Sequence, residues 1–582
     1  MPRARTEWDT LPNPVHDLWT STNAAEMVPG VVRPFTTQLL NRCDSLAMRA
    51  LLEEYPAGPR IEVPAPPTAC LFGVFGGRLA INMGFSIAAA SLLDPAIAEQ
   101  MLARYFTGRS DTRRYVLDSS AEEQAQANEV ATRQREDAPE WLERHVERLL
   151  AERRSEAGER IAALDPAAAW ARIQELATET ALGPINIHLV VSVAAGELHA
   201  RLAGLLRTAG IDSGHVVGLT SGLGEVESTG PAVALWELAC SAREHRAVAE
   251  VLRDEGLAAT QKLIADPSDE PSRRFAALFA EFRVRWGYHG QGEIDPTRLD
   301  WSEDPSFPLS QIRSYLALTD EDGPQAQLDA TITARRALED EVRAQLPTEL
   351  RDGFEATLAA AQHFTRLREL SKAVWVLAAR RLRVPYLALA RGLVADGLLD
   401  QQDDLSYCLL DEVDQLVGGT PIEDLAERLE RRRAQADEAS MSALPAFWIG
   451  EPPNDAAALV DGGALLGIGV SAGPEPVTGS ARHIRSAETG LVRDLHPGEV
   501  LIAPSTDAPW TPLFVTAGAV IVETGGVLSH SATVAREFGV PCVVIDGAMD
   551  RIPDGAVVTV DGATGTVTIE PGPDEERPPA EH

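Results

Sequence analysis

The sequence predicts an α+β chain of several domains: a mainly helical region over residues 1–444, a linker over 445–463, a compact α/β domain over 464–571, and a disordered tail over 572–582. Three observations carry that prediction. Residues 90–440 are long Ala, Leu, Glu and Arg stretches with apolar residues three and four apart, as in "AAAWARIQELATETA" and "LEDEVRAQL". The composition then turns to Pro, Gly, Asp and Ala in "GEPPNDAAALVDGG". After it come short β-branched runs, "EVLIAP", "AVIVET", "PCVVID" and "AVVTVDGATGTVTI". A length of 582 residues leaves ample chain for several cores.

In chain order, residues 60–85, "RIEVPAPPTACLFGVFGGRLAINM", read as a β excursion before the helices begin. Residues 120–160 are dense in both signs of charge and read as a solvated helical hairpin laced by ion pairs four residues apart, or as a partner-binding arm. A further helix is expected from about Glu355, where "RELSK" sets Arg368 and Lys372 one turn apart on one face. In the α/β domain one clear helix is expected within "GGVLSHSATVAREFG". Ser529 is placed to cap it, Ala532, Ala535 and Phe538 recur at helical spacing, and Gly539 is placed to end it.

Composition removes several classes of function. Lys and Arg total 52 against 87 Asp and Glu, a formal charge of -35, so nucleic acid and anionic membrane surfaces are repelled. The first residues, "MPRARTEWDTLPNP", lack the apolar run of a secretory signal. The longest uncharged stretch, "TALGPINIHLVVSVAAG", is short of the roughly 20 apolar residues of a membrane span. A cytoplasmic location is expected. Five scattered cysteines form no CxxC pair and no HExxH occurs, so no metal site is expected.

His530 is the residue on which chemistry centres. In the first turn of a helix, unpaired amides and the helix dipole favour negative charge, and the dipole keeps an imidazole neutral and nucleophilic. Gly525 and Gly526 would let a phosphorylated ligand approach the backbone closely. A helix-capping histidine without chemistry is the plain alternative. The double glycine, the hydroxyl residue Ser529 before the histidine, the small residue after it and the following "VARE.G.P.VV" resemble, in register, the phosphohistidine motif of the swivelling domain of phosphoenolpyruvate-utilising enzymes. That group holds pyruvate phosphate dikinase, phosphoenolpyruvate synthase and rifampicin phosphotransferase. The resemblance implies that His530 carries a phosphoryl group between two distant sites, and that residues 464–571 are the swivelling domain. "LLGIGVSAGPEPVTGSARHI", from Leu465, resembles the entry into that domain; as a dinucleotide fingerprint its glycine spacing is wrong and no helix is expected after it.

Upstream, "WTSTNAAEMVPGVVRPFT", "GGRLAINM", "SGLGEVESTGPAVALWELA", "GYHGQGEIDPTRLDWSEDP" and "LVADGLLDQQDDLSYCLLDEV" resemble, in order, the acceptor-binding region of rifampicin phosphotransferase-like proteins. On spacing alone Arg368 and Lys372 are either a grip on a phosphoryl group or a solvated face pairing with Glu369. Lys372 is one of only two lysines in the chain, and the resemblance implies a phosphoryl-handling role for both cations. Glu293 matches an acidic position that could act as base on an acceptor hydroxyl. Beside it stand Tyr288 and His289 where relatives usually carry His-Arg, an imidazole in place of an always-charged guanidinium. The resemblance also implies an ATP-grasp domain, which this sequence is expected to lack. ATP and Mg would then enter through a separate ATP-grasp protein, as in the divided phenylphosphate synthase, and a small organic molecule would be the acceptor. Two other functions fit the same residues: ATP-independent acid-base chemistry at His530, such as dehydration of a hydroxylated metabolite, and sequestration of a small molecule.

Overall fold

The computed structural model describes residues 5–570, apart from 23, 25–26, 96–97, 100–113, 155–160, 225, 441–443, 446, 453–463, 472, 474, 487–494 and 527–528. Most of the expected linker and all of the expected tail lie outside the described residues. The chain forms two compact units. Unit 1 comprises Met1–Ala194, Gly292–Arg298 and Ser371–Ala458; unit 2 comprises Ala195–Gln291, Leu299–Leu370 and Leu459–His582.

Unit 1 is helical around a small antiparallel sheet. Its strands are β1 (Leu18–Thr20), β2 (Phe72–Phe75), β3 (Arg78–Asn82) and β4 (Phe447–Ile449), in the order β2-β3-β1-β4. The expected β excursion is the β2–β3 hairpin. Gly76 and Gly77 both turn through positive φ, 54° and 70°, as a two-residue hairpin requires, and the Asp9 carboxylate accepts both of their N–H groups at 2.7 and 2.8 Å. The first residues of the expected linker are part of the sheet, because Trp448 pairs with Trp19. The core gathers Phe35, Phe72, Trp170, Trp375, Tyr386 and Leu389.

The charged run after residue 120 is one helix, Ala121–Arg154, and not a hairpin. Pro139 sits inside it; a proline removes one backbone hydrogen bond without closing a turn, and no glycine falls between Ala121 and Arg154 to break the helix. Pro166–Thr208 is the one described helix long and apolar enough to cross a membrane by length and composition, and Trp170, Ile173, Leu176 and Ile185 along it belong to the unit 1 core.

Unit 2 holds the second sheet. After β5 (Ala464–Leu466) and β6 (Ile468–Ser471) come β7 (Val477–His483), β8 (Val500–Ala503), β9 (Ala519–Val522), β10 (Cys542–Val544), β11 (Val557–Asp561) and β12 (Thr566–Ile569). Their order is β5-β12-β11-β7-β8-β9-β10-β6. Four neighbouring strands, β7 to β10, are parallel and follow one another in sequence. Parallel strands covered on both faces read as unbroken apolar runs, which is what "VLIA", "AVIV" and "CVV" are. Alternate residues serve two cores. Leu501, Ala503, Val520, Val522 and Cys542 pack with the helices Gly230–Arg243, Glu270–Trp286 and Ser306–Tyr315, whereas Val500, Ile502, Ala519, Ile521 and Val543 pack against Met549, Val558 and Val567. Among the described residues no helix intervenes between β6 and β7.

Candidate functional site

His530 opens the helix His530–Phe538, which crosses from β9 to β10. Crossover loops at the carboxyl ends of parallel strands are where open α/β sheets place their chemistry. The local chain makes both helix ends as expected. Ser529 is extended at φ -69°, ψ 165°, and its hydroxyl accepts from Ala532 N–H. Gly539 is left-handed at φ 68°, with its own N–H on the Arg536 carbonyl and Val540 N–H on that of Ala535, the two bonds of a Schellman end. Gly526 O accepts from Ser529 N–H at 2.9 Å. Gly525 leaves room beside two linked hydroxyls: a Cβ there would stand 3.3 Å from Ser529 Oγ and 3.4 Å from Ser531 Oγ.

The imidazole is 2% exposed, so its partners decide what it can do. Its Nε2 lies 3.2 Å from the hydroxyl of Thr511, which begins the helix Thr511–Thr516 in the preceding crossover, from β8 to β9. Its Nδ1 lies 4.0 Å from Oε2 of Glu369, and the other oxygen of Glu369 accepts from the Arg368 guanidinium at 2.6 Å. Guanidinium, carboxylate, imidazole and hydroxyl thus stand in one line. Arg368 makes the pairing expected of a charged face, yet this face is buried: Glu369 is 3% exposed.

Further charge lies around this line. Arg536 is fully enclosed, and burial lowers its pKa to about 10, with Arg368 acting in the same direction. Glu537 is pushed up to about 7 by burial, which outweighs its bonds to Leu223 and Gly224 N–H and the fields of Arg536 and Arg335. His199 is lowered to about 4, by burial first, with Arg536 and Arg368 adding to it. It is neutral near pH 7, its Nδ1 2.7 Å from Ala195 O and its Nε2 3.2 Å from Thr220 Oγ1. Two cations within electrostatic reach of Glu369 are a setting in which an added anion is stabilised.

The remaining expected residues fall as follows. His289 is buried in unit 2 among Trp286, Tyr288 and Trp301, with ring centroids 6.1, 4.2 and 5.4 Å away. Glu293 belongs to unit 1, on the short piece Gly292–Arg298, which Arg380 holds by donating to the carbonyls of Asp295 and Arg298 and which Thr36 holds through the Asp295 carboxylate. Glu293 itself is 4% exposed. Arg368 and Lys372 share the helix Thr348–Arg380, with the division between units falling at Leu370 and Ser371. Sequence reading missed Thr511, which no motif marks, and treated Glu369 as a surface partner because spacing does not show which helix face is buried. Among the described residues no three His, Cys, Asp or Glu side chains converge as a metal site.

Comparison with known proteins gives the same outline. Residues 188–369 match the model of the rifampicin phosphotransferase fourth domain, and residues 495–565 that of the PEP-utilising enzyme mobile domain. A Mycobacterium tuberculosis protein of uncharacterized function is 33% identical over 326 residues, 53% of this chain and 34% of that one. Rifampicin phosphotransferase from Streptomyces sviceus is 30% identical over 300 residues, 49% of this chain and 33% of that one. Prodigiosin synthesizing transferase PigC from Serratia marcescens is 30% identical over 335 residues, 53% of this chain and 35% of that one. The chain thus spans about a third of the length of these relatives. Over those residues the chain is similar to the fourth domain of rifampicin phosphotransferases and to the mobile domain of PEP-utilising enzymes.

Proposed function

We propose that this chain is a phosphotransferase component in which His530 carries a phosphoryl group to a small organic acceptor. The observation that supports it most is the asymmetric setting of the imidazole, with a buried carboxylate toward Nδ1 and a neutral hydroxyl at Nε2. A carboxylate on the Nδ1 side favours the proton there, which leaves the lone pair on Nε2. In loading, that lone pair attacks the terminal phosphorus of a nucleoside triphosphate, an Nε2–P bond forms, and the P–O bond to the diphosphate breaks. In delivery, an acceptor hydroxyl attacks the same phosphorus, the P–Nε2 bond breaks, and the hydroxyl proton passes to a base. Glu293 is our candidate for that base, and Lys372 with Arg368 for the cations that balance the transferring group. Gly525, Gly526 and Ser529 shape the approach to the helix end. Burial of His530 keeps water from the labile P–N bond.

The nucleotide and its Mg would be held by a separate ATP-grasp protein, and the site of action would be the cytoplasm. A second reading rests on the same dyad: an imidazole backed by a carboxylate is also a general base, suited to dehydrating a hydroxylated metabolite without ATP. The deciding measurement is peptide mass spectrometry under alkaline conditions after incubation with Mg and ATP. It is run with and without the ATP-grasp protein encoded nearest to this one, with His530→Ala as control. Phosphate on His530 that depends on the partner is the expected result. No phosphate under either condition, with a His530→Ala loss of turnover on a hydroxylated metabolite, would replace this reading by the acid-base one.

A further inference from the structure

The far end of the His530 helix raises a separate question, since nothing in the chemistry at His530 uses Glu537. This carboxylate is 1% exposed, and its partners belong to a different stretch of chain. Leu223 N–H donates to both of its oxygens, at 3.1 and 2.9 Å, and Gly224 N–H donates to Oε2 at 3.3 Å. The backbone there turns through positive φ at Gly222 (57°) and Gly224 (85°), so that successive N–H groups point into one concavity, the form of a backbone anion nest. The segment belongs to the "SGLGEVES" run that the sequence singled out and the proposed chemistry left unused.

The rest of the contact is built to hold that nest against the helix. Thr331, on the helix Pro324–Gln345, donates its hydroxyl to the Glu537 carbonyl at 2.6 Å. Arg335 on the same helix donates to Gly222 O at 3.1 Å. Gly222 lies so close to this helix that a Cβ would stand 2.5 Å from the Thr331 carbonyl carbon, and a Cβ on Gly539 would stand 2.9 Å from the Thr331 methyl. The neighbouring cation stays at home: Arg536 reaches Val470 O in β6, within its own domain.

We propose that Glu537 and the Leu223–Gly224 nest form a releasable docking latch, which holds the helix bearing His530 on the acceptor-side helices and opens when that domain moves away. The inference rests on reading residues 464–569 as a mobile carrier. A latch of this kind suits the task. Hydrogen bonds from backbone amides to a carboxyl oxygen hold while dry, and both partners are well solvated once apart, so closing and opening are nearly balanced. The latch adds a releasable polar contact beside the apolar packing that Leu501, Val520 and Phe514 make with the acceptor-side helices. Glu537 acts as a positioning residue, remote from the reacting nitrogen.

The test uses the full chain with Cys240→Ser and spin labels at Val557→Cys and Glu341→Cys, both exposed positions. Two quantities are read: the distance distribution between the labels, and hydrogen exchange at the Leu223 and Gly224 amides. Glu537→Ala is expected to add a longer-distance population and to speed exchange at those two amides roughly 10- to 100-fold, the loss of a buried hydrogen bond. Glu537→Gln, which keeps an acceptor oxygen, should fall between it and the parent, and Thr331→Val should shift both readouts in the same direction. Exchange within β8 and β9 should stay unchanged. Unaltered distances and exchange in Glu537→Ala would overturn the latch. So would a loss of protection that spreads through β8 and β9, because Glu537 would then be a core residue of its domain. Should Glu537→Ala not fold, an unaltered Thr331→Val overturns the proposal. Neither readout involves phosphate, so a His530 that never takes a phosphoryl group would remove the carrier chemistry without touching this result.

Discussion

At His530 the two ring nitrogens face different oxygens, and the proposed transfer rests on that difference. Glu369 Oε2, 4.0 Å from Nδ1, is beyond hydrogen-bond distance but within ion-pair range, in a setting where both side chains are at most 3% exposed. Arg368 pairs with the other oxygen of the same carboxylate at 2.6 Å. Glu369→Gln keeps the shape and removes the charge. It should lower the rate of His530 loading by about 100-fold, the usual scale for losing a group that sets protonation in the transition state, with the folded stability little changed. Rapid-quench loading measures the rate, and the 15N shifts of the His530 ring measure the cause. The parent should show the proton on Nδ1, and Glu369→Gln should show a tautomer mixture. An unchanged tautomer with a slowed rate would move the role of Glu369 from orientation to charge.

Elements show the same dependence on buried charge away from the site. The helix Leu425–Ser440 is held in unit 1 by Arg432, 1% exposed, which donates to both oxygens of Glu412 (2.6 and 2.9 Å), to Tyr407 O at 2.9 Å and to Glu7 at 2.9 Å. Arg432→Ala leaves the buried Glu412 carboxylate with Arg428 at 3.4 Å and the Leu409 N–H as its partners and should cost about 3 kcal/mol in urea unfolding. Arg432→Met with Glu412→Gln removes both charges and should recover most of that loss. How far elements were legible follows from how local their causes are. Both ends of the His530 helix were readable because Ser529 and Gly539 act on their own neighbours, and the parallel strands were readable because each is an apolar run. The charged stretch after residue 120 was misread because ion-pair spacing looks the same in one long helix as in a hairpin. Thr511, 19 residues before His530, and Glu369 on another helix meet the imidazole only through the sheet crossovers and helix packing, which leave no mark in spacing.

Across the whole molecule, a formal charge of -35 means that most carboxylates must stay solvated or paired, and the few that are neither dominate the response to pH. Paired ones such as Glu412, whose arginine bonds hold it below the ordinary value against the opposing effect of burial, lose stabilisation as pH falls. Asp44 behaves oppositely. It is enclosed in unit 1 with Leu71 and Phe72 N–H on one oxygen, each at 2.8 Å, and burial lifts it from 3.8 to about 7. Glu537 in unit 2 is lifted from 4.5 to about 7. For each, the folded chain binds the proton more tightly than the unfolded chain between the two values, so its contribution to stability is greatest at the acid end and is lost as pH rises to about 7. Asp44→Asn keeps an acceptor for the two amides and cannot ionise. Relative to the parent it should therefore gain stability from pH 5 to about pH 7 and level off above that, by on the order of a few kcal/mol. The measurement is exchange at the Leu71 and Phe72 amides, corrected for intrinsic rates, at each pH in both proteins. A difference between the two that does not vary with pH would mean that Asp44 ionises in the folded chain as it does in water, and that its two hydrogen bonds fully offset its burial.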